Sequence, residues 1–200
     1  LLRSNERNIK TMLRVVSGVA KGIFLLDVNK ETTRPITSRI KTSLFDKLQF
    51  FIADEKIADF YSGTGSMGIE AISRGASFCD FVDSDADCVS VIKQNLEKTK
   101  LEKKANVFAG TVLEFATSHA KPKSYQAILY DPPFPKVKGS YEQIKNELLS
   151  FIPLLKEEGA VIFRHPIHAF EAISEYEVIS QKDYGINQIT ILTPLLPVVQ

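Results

Sequence analysis

From residue 57 onward, short apolar runs alternate with stretches of helical character, and that alternation limits the fold more than any other feature of the chain. Ile57–Tyr61, Phe78–Asp83, Ala105–Ala109, Tyr125–Tyr130 and Gly159–Arg164 are apolar runs of strand length. Helical stretches lie between them, near residues 66–74, 85–99, 112–119 and 140–152. Strand and helix in alternation predict βαβ units, and so a parallel sheet covered on both faces. The last two runs, Glu175–Lys182 and Asn187–Leu192, flank Asp183-Tyr184-Gly185-Ile186 with no helix between them, which predicts an antiparallel hairpin. The expected fold class is α/β: a seven-stranded, mostly parallel sheet ending in an antiparallel C-terminal hairpin.

The chain ahead of residue 56 has a different texture. Residues 1–11 are polar and basic without periodicity and are expected to be a disordered lead-in, not a secretory signal. Residues 12–55 are expected to form an N-terminal extension. Leu13-Arg14-Val15-Val16-Ser17-Gly18 and Lys21-Gly22-Ile23-Phe24-Leu25-Leu26 read as a small hairpin. Arg34-Pro35-Ile36 then leads to Thr37 or Ser38 as the cap of a helix carrying Ile40, Leu44, Leu48, Phe51 and Ile52 on one face. On this reading Arg39, Lys41 and Lys47 lie mostly off that face. Residues 56–200 are expected to form the main α/β domain.

Charge separates the same two regions. Through Lys56 there are eleven Lys and Arg against six Asp and Glu, and fourteen against eighteen thereafter, giving +5 and -4 within a total of +1. A basic extension ahead of a mildly acidic body predicts an anionic partner, with a merely solvated face as the alternative. At 44% hydrophobic and 24% charged residues, the composition is that of a soluble protein with a real core, and no window is long and apolar enough for a membrane span. Two cysteines, Cys79 and Cys88, make no disulfide framework, and no cluster suggests a metal. The expected location is the reducing cytoplasm.

Asp59-Phe60-Tyr61-Ser62-Gly63-Thr64-Gly65-Ser66-Met67-Gly68 is the first segment with chemical content. A strand runs into Gly63-x-Gly65-x-x-Gly68 and a helix comes next, so the glycines let backbone approach a ligand that side chains would exclude. Asp83 ends the next strand, where a carboxylate can accept hydrogen bonds from both ribose hydroxyls of a nucleoside. A dinucleotide and S-adenosylmethionine both fit such a turn. Asp59 favours S-adenosylmethionine, because a negative charge suits its cationic methionine end and would repel a pyrophosphate.

Asp131-Pro132-Pro133-Phe134 closes the fourth strand and faces the same ligand, since open α/β sheets bind beyond the carboxyl ends of their strands. The prolines fix φ and supply no donors. Asp131 and the Pro132 carbonyl therefore make an acceptor-only pair that can hold both hydrogens of an exocyclic amine. Phe134 offers a face on which a flipped base could stack.

At these residues the chain resembles the RsmD-type 16S ribosomal RNA guanine-N2 methyltransferases, within the Rossmann-like class I S-adenosylmethionine enzymes. The resemblance runs from Met12 over nearly the whole chain. It is carried by the opening hairpin with Lys21-Gly22, by Arg34-Pro35-Ile36-Thr37-Ser38-Arg39, by Gly68-Ile69-Glu70-Ala71-Ile72-Ser73-Arg74-Gly75-Ala76, by Asp-Pro-Pro-Phe, and by Tyr184-Gly185. It implies S-adenosyl-L-methionine as cofactor and 16S ribosomal RNA of the assembling small subunit as substrate, with the enzyme acting as a monomer. It places Asp59, Tyr61, Gly63, Thr64 and Gly65 of the turn at the cofactor, joined by Asp83, Ser84, Gly110 and Thr111. Asp131, Pro132, Pro133 and Phe134 are the expected catalytic residues, and Arg14, Lys21, Arg34, Arg39 and Lys41 the expected RNA contacts. Two departures stand out. Gly110-Thr111 occupies the place of an Asp that contacts adenine in relatives, and Arg164-His165-Pro166 stands where relatives tend to carry an acid. The rival readings are an adenine-N6 methyltransferase on DNA or RNA, a nicotinamide-dependent oxidoreductase and a non-catalytic RNA-binding relative.

Overall fold

The computed structural model describes residues 13–28 and 36–195. Its elements are α1 (Ser38–Ile52), β1 (Lys56–Phe60), α2 (Ser66–Ser73), β2 (Phe78–Asp83), α3 (Ala86–Thr99), β3 (Ala105–Ala109), α4 (Val112–Ser118), β4 (Tyr125–Tyr130), α5 (Phe134–Gly139), α6 (Tyr141–Phe151), β5 (Leu155–Pro166), β6 (Tyr176–Tyr184) and β7 (Asn187–Pro194). The strands form one sheet in the order β3-β2-β1-β4-β5-β7-β6. The first five are parallel, while β7 pairs antiparallel to both β5 and β6. The order reverses between β1 and β4, and that switch point is where a ligand crevice belongs.

Successive residues of a strand face opposite sides of a sheet, so two cores form. One takes Ile57, Phe81, Leu129 and Ile162 against α1, α2 and α3; the other takes Phe60, Val82, Tyr130 and Phe163 against α4 and α6. Leu13, Val15 and Leu25 of the N-terminal segment lie in the first core. The seam expected near residue 55 therefore joins two parts of one hydrophobic cluster.

Three local differences from the expected elements have physical causes. Residues 13–26 pair only through the Arg14–Phe24 bridge and neighbouring backbone bonds such as Val15 N to Ile23 O at 3.0 Å, because that segment is held chiefly by α2. Strand β5 starts at Leu155, ahead of the polar Lys156-Glu157-Glu158 that hides it from an apolar scan. The segment after Asp-Pro-Pro is helical, since proline is tolerated in a helix's first turn, where the N–H it lacks would have no partner.

Candidate active site

The carboxyl ends of β1, β2, β4 and β5 converge on one mouth. After β1 the chain turns through Tyr61, Gly63 and Gly65, at φ 59°, 55° and 75°. These left-handed values suit glycine and strain tyrosine. Tyr61 is held there by its hydroxyl, which donates to Glu147 Oε1 at 2.9 Å, while Tyr130 Oη donates to Glu147 Oε2 at 2.6 Å. Its side chain thus points at α6, and its backbone shapes the turn. The Thr64 carbonyl accepts from Asn95 Nδ2 at 2.9 Å. Gly68 allows α2 to lie against β2, for a Cβ there would sit 2.4 Å from Phe81 Cε1.

Asp83 is only partly buried, and its Oδ2 accepts from Gly63 N at 2.8 Å and its Oδ1 from Asp85 N at 2.9 Å. An ionised carboxylate has about four acceptor sites. Two backbone donors therefore orient Asp83 and leave capacity for a diol. Ser84 beside it is exposed. Gly110 N donates to Asp83 O at 3.0 Å, which sets the end of β3 beside Asp83. The Thr111 hydroxyl caps α4 by accepting from Glu114 N at 3.1 Å.

Asp59 lies beneath the glycine turn. It is 1% exposed, and its Oδ2 accepts from Gly68 N at 2.8 Å, so it props the turn from beneath. Burial pushes its carboxyl well above the ordinary range, and Asp131 and Asp83 push the same way against the Gly68 bond.

Asp131 comes directly after β4, and its N–H donates to Phe60 O at 3.3 Å, placing Asp-Pro-Pro against the glycine turn. Asp131 Oδ2 accepts from Arg164 Nη1 at 2.5 Å. Burial raises the Asp131 carboxyl above its usual value, while the Arg164 guanidinium pulls it down. Phe134 opens α5 with one face covered, the Arg164 guanidinium lying 5.3 Å from its ring centroid. His165 belongs to the core: its Nδ1 is 2.9 Å from Pro166 O and its Nε2 2.9 Å from Thr190 Oγ1. Burial lowers its pKa, consistent with a neutral ring donating from Nδ1 and accepting at Nε2.

Among the expected RNA contacts, Arg14, Lys21 and Arg39 are exposed, and Arg34 lies outside the described residues. Lys41 is a correction. It is fully buried, donating to Arg14 O at 2.7 Å and Ser66 Oγ at 3.0 Å and lying 3.3 Å from Glu70 Oε2. It cannot reach a phosphate because the apolar face of α1 passes through it. Glu70 also accepts from Val16 N at 2.8 Å, Ser17 N at 3.0 Å and Arg74 Nε at 2.8 Å, which fastens the N-terminal segment to α2.

Sequence reasoning missed Glu70 as an anchor, and it missed Asn95 and Glu147. Asn95 shares the stripe Cys88, Ile92, Leu96 and Thr99, and Glu147 the stripe Ile144, Leu148 and Phe151. A polar residue on an apolar stripe was the available signal. No group of His, Cys, Asp and Glu among the described residues could hold a metal ion, and no helix among them is long and apolar enough to cross a membrane.

A glycine turn after β1, an oriented acid after β2, Asp-Pro-Pro-Phe across the switch point and a terminal antiparallel hairpin together define a Rossmann-like class I methyltransferase. The family model described as Conserved hypothetical protein 95 matches residues 13–193, and the chain belongs to that family, the RsmD-type rRNA methyltransferases. Bacillus subtilis YlbH, an rRNA methyltransferase by name, is 30% identical over 185 residues, spanning 90% of this chain and 97% of its own. Ribosomal RNA small subunit methyltransferase D of Haemophilus influenzae is 31% identical over 128 residues, spanning 64% of this chain and 66% of its own. Among solved structures, Escherichia coli yhhF, a methyltransferase by name, shares the fold with a TM-score of 0.77 at 20% identity, covering 92% of this chain and 98% of that one.

Proposed function

We propose that the protein methylates the exocyclic N2 of a guanine in 16S ribosomal RNA, using S-adenosyl-L-methionine, on the assembling small ribosomal subunit. The observation that carries this reading is the position of Asp131 and Pro132, joined to the end of β1 by the Asp131 N–H and facing the glycine turn across the switch point. The cofactor fits the residues present. Asp83 is an acceptor pre-oriented by two backbone bonds, and the turn beside it presents glycine backbone where a Cβ on Gly63 would meet nothing. Gly63, Gly65, Asp83, Ser84 and the Gly110-Thr111 backbone would hold the cofactor, which supplies an electrophilic methyl on a sulfonium.

The protein's own share is positioning and exclusion of water. Asp131 and the Pro132 carbonyl accept the two amine hydrogens and leave the nitrogen lone pair free for the methyl. Asp131 takes the proton the nitrogen sheds. Phe134, packed on one face by Arg164, presents its other face to the base. Arg14, Lys21, Arg34 and Arg39 meet RNA phosphates. On this reading the protein acts in the cytoplasm as a monomer.

The test is radiolabelled methyl transfer to small subunits purified from cells lacking this modification, with nucleoside analysis of the product. N2-methylguanosine is the expected product, and Asp131→Ala should remove most turnover while cofactor affinity stays within a few-fold, since an interaction made in the transition state lowers kcat. N6-methyladenosine as the product, or wild-type turnover by Asp131→Ala, overturns the reading.

A further inference from the structure

Arg164 makes no contact with the amine in that reaction scheme, yet three groups hold its side chain at the mouth. It stands on β5, 8% exposed, on the same sheet face as Ile162 and its cross-strand partner Ile189. Its Nη1 donates to Asp131 Oδ2 at 2.5 Å and its Nε to Asn187 Oδ1 at 3.1 Å. Its guanidinium lies over the Phe134 ring at 5.3 Å. One side chain thus ties β5 and the start of β7 to the acceptor carboxylate and to the expected stacking ring. A guanidinium is a planar fork, so fixing two of its nitrogens fixes the plane and everything packed on it.

The consequence for Asp131 is geometric. A carboxylate free to rotate presents either oxygen to an incoming amine. With Oδ2 held by Arg164, Oδ1 remains for the amine beside the Pro132 carbonyl. Phe134 is fixed by the same group, so the plane of a stacked base and the direction of its amine are set together. We propose that Arg164 is a positioning residue for methyl transfer, holding Asp131 and Phe134 in the one relation that aims the amine lone pair. The inference rests on the methyl-transfer reading above.

Electrostatics adds a second consequence. Among the described residues, the ionisable groups that act on Asp131 are Arg164 from β5 and Asp59 from β1. Burial already disfavours the Asp131 anion, and Arg164 opposes that effect. Removing the guanidinium raises the pH at which Asp131 ionises. Because the anion accepts the amine, the acidic limb of the rate profile then moves to higher pH.

The experiment compares wild type, Arg164→Gln and Arg164→Lys in full-length protein, measuring kcat and KM for small subunits, calorimetric affinity for S-adenosylmethionine, and kcat against pH. For Arg164→Gln, kcat falls on the order of 100-fold, the effect of a small misplacement of reacting groups. Cofactor affinity stays within a few-fold, and the acidic limb shifts upward. Arg164→Lys keeps the charge but loses the fork, so its limb stays near wild type while kcat remains depressed. Should Arg164→Gln fail to fold, the Lys variant alone decides: wild-type kcat there overturns the proposal. It is overturned equally by an unchanged kcat or an unmoved limb in Arg164→Gln, or by equal losses of cofactor affinity and turnover. If Asp131→Ala is inactive while both Arg164 variants work normally, the methyl-transfer reading stands and only the positioning role falls.

Discussion

Two cation–carboxylate pairs do opposite things in this molecule. Lys41 and Glu70 meet under the N-terminal segment with both side chains wholly buried, whereas Arg164 and Asp131 meet at the mouth of the sheet with side chains 9% and 25% exposed. At the first, Glu70 spends its oxygens on two backbone N–H groups, Arg74 and Lys41, and Lys41 spends its ammonium on Arg14 O and Ser66 Oγ. Such a pair fastens the segment to α2 and offers a solute nothing. At the second, the Asp131 side chain stays partly exposed, with one carboxyl oxygen bonded to Arg164. A buried charge with every bond directed inward is a fastener; one with an oxygen left outward can do chemistry.

Lys41→Ala breaks the first pair and should have the largest effect on stability. Glu70 keeps Arg74 and two backbone donors, so the loss is that of buried hydrogen bonds to charged groups, about 2–3 kcal/mol, rather than that of a charge left uncompensated. For a chain of this size that lowers Tm by up to roughly 10 °C. Burial pulls the Lys41 ammonium below its usual value, and Glu70 pushes back only in part. Cofactor affinity, measured well below Tm, should change little. A thermal scan placing the variant within about 2 °C of wild type would show that the pair contributes nothing net.

Asp83→Ala should give the converse result. Asp83 sits at a strand end with part of its surface open, and its loss removes hydrogen bonds to a ligand together with two short-range backbone bonds. A hydrogen bond to a charged group is worth ~1.5–3 kcal/mol, so S-adenosylmethionine binding should weaken roughly 10- to 100-fold. Tm should fall by much less than in Lys41→Ala. Undiminished affinity in a calorimetric titration would mean that another acid holds the ribose.

The mouth is far more legible in the sequence than the seam. Gly63, Gly65, Asp83 and Asp131 declare themselves because glycine frees the backbone and proline restricts it by chemistry alone, and a strand's carboxyl end sets the position of the next residues. The parallel order and the final hairpin come from periodicity in the same way. The fasteners escape such a reading because their meaning depends on the groups across the interface. Lys41 reads as surface when its charge alone is weighed, yet it shares a stripe with Leu44, Phe45, Leu48 and Ile52 at spacings of three, four, seven and eleven. As part of that stripe, it declares a buried cation that needs a carboxylate, which Glu70 supplies on the wholly buried α2. The Arg164–Asp131 contact joins residues 33 apart in sequence, and only the β4–β5 pairing brings them together.

The outer rim of the seam gives the smallest effect and the sharpest division between fastening and recognition. Arg14, Lys21 and Arg39 are exposed; Arg14 accepts from the Lys41 ammonium at its backbone carbonyl, which any side chain leaves in place, while its guanidinium only repels that ammonium. Arg14→Glu, Lys21→Glu and Arg39→Glu combined should therefore leave Tm and cofactor affinity close to wild type. RNA binding should weaken and its salt dependence flatten. Each phosphate contact contributes ~0.9 to the slope on duplex and ~0.7 on single strands, so three lost contacts shift it by roughly two to three units. Affinity for small-subunit RNA measured across a salt series reads this directly. A slope unchanged in the triple variant would make the basic rim a solvated face, and the RNA would then be gripped by some other part of the protein.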